Sequence, residues 1–371
     1  MKRDTYYDYI RAYAALLVFF THKSFKLPGG SIGVDIFFCL SGFLITEILL
    51  HLPALSVGNL LKFIFRRWMR IYPLYLASIV AAFLLMKLTG VYNPDTLVAS
   101  LPRLLSFISY PQTGFATGVF WTLQIEFWFY VIFPFLFAFA YPRGLLPYVI
   151  GIVICISWIA KFLLGQHQDF APLNTLSYMD QLMYGAICAL ISKDKPSIAG
   201  LFRSRWWFWG SLAVTFCIAQ FVNFNGLYDP KWWLLTSLSA MICAIAILHR
   251  VANTTEFKDN FIAWLGRISF SIYLVHAIVI DYVPTGTMIP KLDTPTCLAL
   301  VIAISWLTRR FIERPGIALS KTIARFQPRT AGLTAATFPA SVVSNNRRLS
   351  SPASGPPSAA TAVPDPVPGQ Q

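Results

Sequence analysis

Ten apolar segments, parted by charged or Pro/Gly-containing breaks, set the limits on what this chain can fold into. They run over 6–22, 32–52, 71–89, 119–140, 146–164, 178–192, 206–222, 232–248, 268–283 and 297–313. Segments of this kind belong in hydrocarbon, where each backbone N–H and C=O must bond within its own segment, so helices follow. A mean hydropathy of +0.59 with only 12% charged residues agrees. The predicted class is an all-α integral membrane protein of about ten transmembrane helices around a polar cavity. Several segments are shorter than the ~20 residues of a perpendicular span. The first, sixth and ninth are the weakest as spans, and their shortness suits helices that line a cavity rather than face lipid.

Charge gives the orientation. With a cytoplasmic N-terminus, the great majority of the 30 Lys and Arg residues fall on cytoplasmic segments. Lys161 is among the few counted outside. The positive-inside rule therefore predicts N-in and C-in. The net charge of +14 is then a topology signal. No basic stripe interleaved with aromatics lies outside the spans, so nucleic acid is not an expected partner. Trp206, Trp207 and Trp209 mark an inner interface, and Trp232 with Trp233 an outer one. Lys2 and Arg3 before an apolar run imitate a signal peptide. No small-x-small cleavage site follows, so an uncleaved first span is expected. The longest outer connection carries a candidate surface helix over 97–108. From 327 the composition shifts to Pro, Ala, Ser and Thr. This divides the chain into a transmembrane domain, 1–326, and a disordered cytoplasmic tail, 327–371. The six cysteines form no CxxC, which indicates neither zinc nor a disulfide framework. No internal repeat is evident, and nothing specifies an oligomeric state.

The informative residues are the titratable ones inside apolar segments. Arg11 and His22 share the first. Eleven residues make three turns plus about 20°, so both lie on nearly one face, about 16 Å apart along the axis. Buried Arg normally faces a polar cavity, and His can act as a base near neutral pH. Asp35 opens the second segment near the depth of His22. It is either a helix cap or a carboxylate that orients the histidine. Arg66, Arg67 and Arg70 precede the third segment at helical spacings that put two guanidinia on one face. They are either a topology signal or a phosphate clamp for a donor arriving from the cytoplasm. Glu126 and Tyr130, four apart in the fourth segment after Trp121, read as a functional pair or part of a structural ion pair. Tyr273 and His276 in the ninth are packing residues or cavity lining. Phosphate-binding glycine loops, HExxH and GxSxG are all absent, which leaves ATP hydrolysis, dinucleotide redox chemistry and zinc proteolysis without support.

Six blocks, in order, resemble the acyltransferase-3 family of integral membrane O-acyltransferases. They are Arg11 with His22; Gly33-Val-Asp-Ile-Phe-Phe with Ser41-Gly-Phe-Leu-Ile; Arg67-x-x-Arg70-Ile-Tyr-Pro; Trp121-Thr-Leu-x-Ile-Glu126-x-x-x-Tyr130; Ser271-Ile-Tyr-Leu-Val-His276; and Glu313-Arg-Pro. Thr122 departs from the more usual Ser. The resemblance implies ten core helices in a multi-pass inner (cytoplasmic) membrane protein. It implies transfer of an acyl group, usually acetyl, from acyl-CoA to a carbohydrate hydroxyl. Acceptors of the family include lipopolysaccharide, exopolysaccharide, nodulation factors and peptidoglycan, and the short form resembles nodulation-factor and exopolysaccharide acyltransferases. Acetyl-CoA would be a substrate, with no permanently bound cofactor and no metal. By resemblance Arg11 and His22 are the essential pair, and Arg67 and Arg70, with Arg66 beside them, handle the donor. Asp35 and Glu126 are candidates to support His22; Trp121, Tyr130, Tyr273 and His276 are candidates to line the substrate path. A glycolipid or small-solute transporter built on the same polar cavity is the competing reading.

Overall fold

A computed structural model describes residues 4–23, 31–108, 118–164, 171–224, 233–253, 257–282 and 294–326. The tail over 327–371, and Trp232 in the expected outer belt, lie outside the described residues. Among the described residues there is no strand. The helices are α1 (Thr5–Lys23), α2 (Ser31–Leu50), α3 (Val57–Thr89), α4 (Pro94–Leu105), α5 (Trp121–Ala140), α6 (Leu146–Leu164), α7 (Ala171–Asp194) and α8 (Pro196–Gly200). They continue with α9 (Arg205–Phe224), α10 (Trp233–Ala252), α11 (Phe261–Arg267), α12 (Ser269–Tyr282), α13 (Thr294–Thr308) and α14 (Arg314–Phe326).

Each of the ten apolar segments is helical. Among the described residues six helices are long and apolar enough to cross a membrane, or seven if α11 and α12, bent by 75° at Ile268, count as one broken span. α1, α7 and α9 fall outside that set; α1 carries Asp8, Arg11 and His22, and α7 carries Thr175, Ser177, Asp180 and Gln181. α4 is the surface helix expected before the fourth segment. α3 is longer than its apolar part. It starts at the Ser56 cap, whose hydroxyl accepts from the Asn59 N–H, and stops at Gly90 in the left-handed region (φ 66°). Pro73 inside α3 has no N–H for the Met69 carbonyl, and α14 packs against the helix there.

α2 and α7 form the centre. Their backbones touch where Gly42 meets Leu182 and Gly185 meets Cys39; a Cβ on either glycine would overlap the facing carbonyl. α1, α5, α6 and α10 surround this pair. On the other side α1 packs against α11 and α12, and α12 against α3 and α13. The functional region lies where α1, α2, α3, α5 and α12 converge.

Candidate functional site

A cleft of about 780 Å³ opens between these five helices. Residues Val34, Phe37, Phe38, Ser41, Leu44 and Ile45 of α2 line it, at the i, i+3, i+4, i+7 spacing of a single helix face. Three arginines enter it: Arg11 from α1, and Arg67 and Arg70 from α3. Arg11 Nη1 donates to Asp8 Oδ1 at 3.1 Å, one turn back on the same helix, and Asp8 is fully buried. The Arg67 guanidinium lies over the Phe63 and Tyr130 rings, 5.5 and 5.9 Å from their centroids. Arg66 is exposed and is not among the lining residues, so the basic triplet contributes two side chains to the cleft.

Glu126 is the carboxylate of the cleft. Ser41 Oγ donates to its Oε1 at 2.8 Å and Tyr130 Oη to its Oε2 at 3.1 Å. The spacing of Glu126 and Tyr130 along α5 thus becomes a hydrogen bond. Trp121 packs outside the cleft against Tyr178 and Phe38, at ring distances of 5.0 and 6.2 Å. Its neighbour Thr122 lines the cleft and donates to Tyr273 Oη at 3.0 Å, while Tyr273 donates to the Val119 carbonyl at 3.1 Å.

Tyr273 links the cleft to the histidines. Its ring centroid is 5.7 Å from that of His276. His276, fully buried, places Nε2 3.2 Å from His22 Nδ1, and the two rings are 5.2 Å apart. Neither histidine lines the cleft itself. They close a row that runs from Arg67 and Arg70 past Glu126, Ser41 and Thr122 to Tyr273. The local sequence gave no sign that His22 and His276, 254 residues apart, would meet.

Asp35 does not join this row. Taking the centre of the α2 face that lines the cleft, Asp35 is displaced by roughly 120° around the helix. Its Oδ2 is 3.1 Å from Ser239 Oγ on α10, away from the face that lines the cleft. There it borders a sealed polar cluster that the sequence reading missed. Lys161 Nζ donates to both oxygens of Asp180, at 2.7 and 2.8 Å, and to Ser237 Oγ at 2.7 Å. Ser157 and Ser237 donate to the same carboxylate. Lys161, counted by sequence among the outer charges, is in fact 1% exposed. An acid within the sixth apolar segment was the available signal.

Glu313 ties α12 to the turn after α13. It is buried, 3.2 Å from Arg309 Nη1 across a π-helical turn (Arg309–Glu313), and accepts from Ser271 Oγ at 3.2 Å. Among the described residues no cluster of three or more His, Cys, Asp or Glu could hold a metal ion.

Fold and cleft together define a multi-span membrane protein with a cationic cleft leading to a pair of histidines, His276 buried and His22 half-buried. The acyltransferase-domain family model matches residues 4–310, and the chain belongs to this acyltransferase-3 family. It is similar to the peptidoglycan O-acetyltransferase OatA of Listeria monocytogenes, 27% identical over 362 residues, covering 85% of this chain and 57% of that protein. It is also similar to YrhL of Bacillus subtilis, to which peptidoglycan O-acetylation is provisionally ascribed. The identity there is 28% over 349 residues, covering 83% of this chain and 54% of the relative. The chain thus spans just over half the length of the curated relatives it matches. No solved structure matches it.

Proposed function

We propose that the chain is a membrane O-acetyltransferase that moves an acetyl group from acetyl-CoA to a hydroxyl of a carbohydrate, with a cell-envelope polysaccharide such as peptidoglycan as the acceptor class. The observation that carries this reading is the row of side chains from the arginines to the histidines. Arg67 and Arg70 present planar forks suited to phosphate oxygens at one end of the cleft. Arg11 lies further along, where it meets the donor arm. The acetyl thioester comes to rest near Tyr273, beside the His22–His276 pair.

In the reaction, neutral His22 takes the proton of the acceptor hydroxyl as its oxygen attacks the thioester carbonyl. The C–O bond forms, the C–S bond breaks, and the departing thiolate recovers the proton from His22. The products are the ester and the free thiol. The topology that suits this chemistry has ten membrane-embedded helices with both termini cytoplasmic, in the cytoplasmic membrane. The donor then enters at the arginine end, and the acceptor meets His22 toward the other face.

The test uses membranes carrying the full chain and acetyl-CoA labelled in its acetyl group. Label should become covalently attached to extracted polysaccharide or glycolipid. His22→Ala should reduce this by at least about 100-fold, the scale of a lost general base, while the protein stays folded and inserted. Normal turnover by that variant would sink the mechanism. A solute that crosses the membrane without gaining an acyl group would point to a transporter.

A further inference from the structure

Two backbone carbonyls bear on which nitrogen of each histidine carries the proton. His22 Nδ1 lies 3.0 Å from the Val18 carbonyl one turn back on α1, and 3.2 Å from His276 Nε2. A carbonyl oxygen can only accept, so the proton of neutral His22 belongs on Nδ1, shared between these two acceptors. His276 Nδ1 in turn lies 3.2 Å from the Ile272 carbonyl on α12. By the same reasoning His276 carries its proton on Nδ1 and turns the bare lone pair of Nε2 toward His22. The tautomers are thus assigned by their carbonyl partners, one on each helix.

We propose that His276 is a positioning residue for His22. It fixes the ring and tautomer of His22 so that Nε2 is the unprotonated, proton-accepting nitrogen. It also accepts a hydrogen bond from the imidazolium that forms when Nε2 takes a proton. In this role it replaces the carboxylate that commonly stands behind a catalytic imidazole. A neutral partner suits the location. His276 is fully buried and packed among Tyr273 and the apolar residues of α1 and α12, where a carboxylate would add a charge to be solvated. The pair bridges α1 and α12, so its geometry depends on how these helices pack.

The inference rests on His22 being the base, and the experiment separates the two ideas. Purified full-length protein in lipid nanodiscs is assayed with acetyl-CoA and a soluble oligosaccharide acceptor. His276→Phe is expected to lower kcat by at least about tenfold, the effect of losing the outer partner of a working imidazole, with KM for both substrates unchanged. His276→Gln, whose amide oxygen can accept from His22 Nδ1–H, is expected to recover most of that loss. If His22→Ala is inactive but His276→Phe keeps normal kcat, or if Gln is no better than Phe, the positioning role is wrong while the base survives. If His22→Ala is active, the base itself fails. A second measurement needs no variant of His276. Nitrogen-15 spectra of histidine-labelled protein, with the His22 signals assigned by difference against His22→Asn, should show His22 protonated on Nδ1 at neutral pH. A proton on Nε2 instead would overturn the proposal.

Discussion

The cleft and the Lys161–Asp180 cluster are both polar regions inside an apolar bundle, and they are built on opposite principles. In the cluster every charge is answered: Asp180 accepts from Lys161, Ser157, Ser237 and the Trp158 indole, and Lys161, Asp180 and the two serines are each no more than 2% exposed. In the cleft Arg67 rests on aromatic rings, Glu126 is held by two hydroxyls, and three guanidinia face a space of about 780 Å³. Charge that is fully paired fastens helices together. Charge that is oriented by rings and hydroxyls but open on one side is available to a ligand. Both regions contain acids and bases in mid-helix, so residue type alone does not tell them apart.

The contrast can be broken most forcefully at the cluster. Lys161→Met or Asp180→Ala strands a buried charge and should cost about 3–5 kcal/mol of stability. Paired replacement of both by apolar residues should restore much of it. Thermal unfolding of detergent-solubilised protein reads this, and single variants that unfold at the parental temperature would remove the structural role. Next in size, Arg67→Ala with Arg70→Ala should weaken CoA binding by about tenfold or more per arginine, from lost charge-assisted bonds. The same double variant should leave the unfolding temperature nearly unchanged, and unaltered CoA affinity by calorimetry would remove the clamp. The smallest effect is expected at the border of the cluster. Ser239 Oγ faces both the Thr236 carbonyl, at 2.7 Å, and Asp35 Oδ2, at 3.1 Å. A hydroxyl has one proton and the carbonyl can only accept. An amide at position 35 can supply a donor to Ser239, so Asp35→Asn should change stability by less than about 1 kcal/mol. Loss of folded protein would show that the charged form of Asp35 is needed.

The sequence was most legible where hydropathy is unmixed. All ten apolar runs are helices, and α5 keeps Glu126 and Tyr130 in contact because four residues bring side chains to the same face. It was least legible where polarity is itself buried. α7 begins at Ala171, well before its apolar stretch, and Thr175, Ser177, Asp180 and Gln181 are buried inside the bundle rather than turned to lipid. Lys161 looks like a loop cation until Asp180 is known to lie opposite. Asp35 stayed open between a helix cap and a partner for His22 for a related reason: α2 is apolar around its whole circumference apart from a few residues, so no polar stripe reveals which face is the cleft. The meeting of His22 and His276 depends on α1 packing against α12, a tertiary fact that no local spacing encodes.

The length of α3 carries one more consequence. Its 33 residues extend about 50 Å, against a hydrocarbon thickness of about 30 Å. The stretch from Arg70 to Thr89 alone reaches about 29 Å, so the helix fills the oily layer before it arrives at its paired guanidinia. On the proposed topology Arg67 and Arg70 therefore fall at the waterline. The proposed donor would moor there with its phosphates still in water, and only its slender uncharged arm would have to enter the bundle.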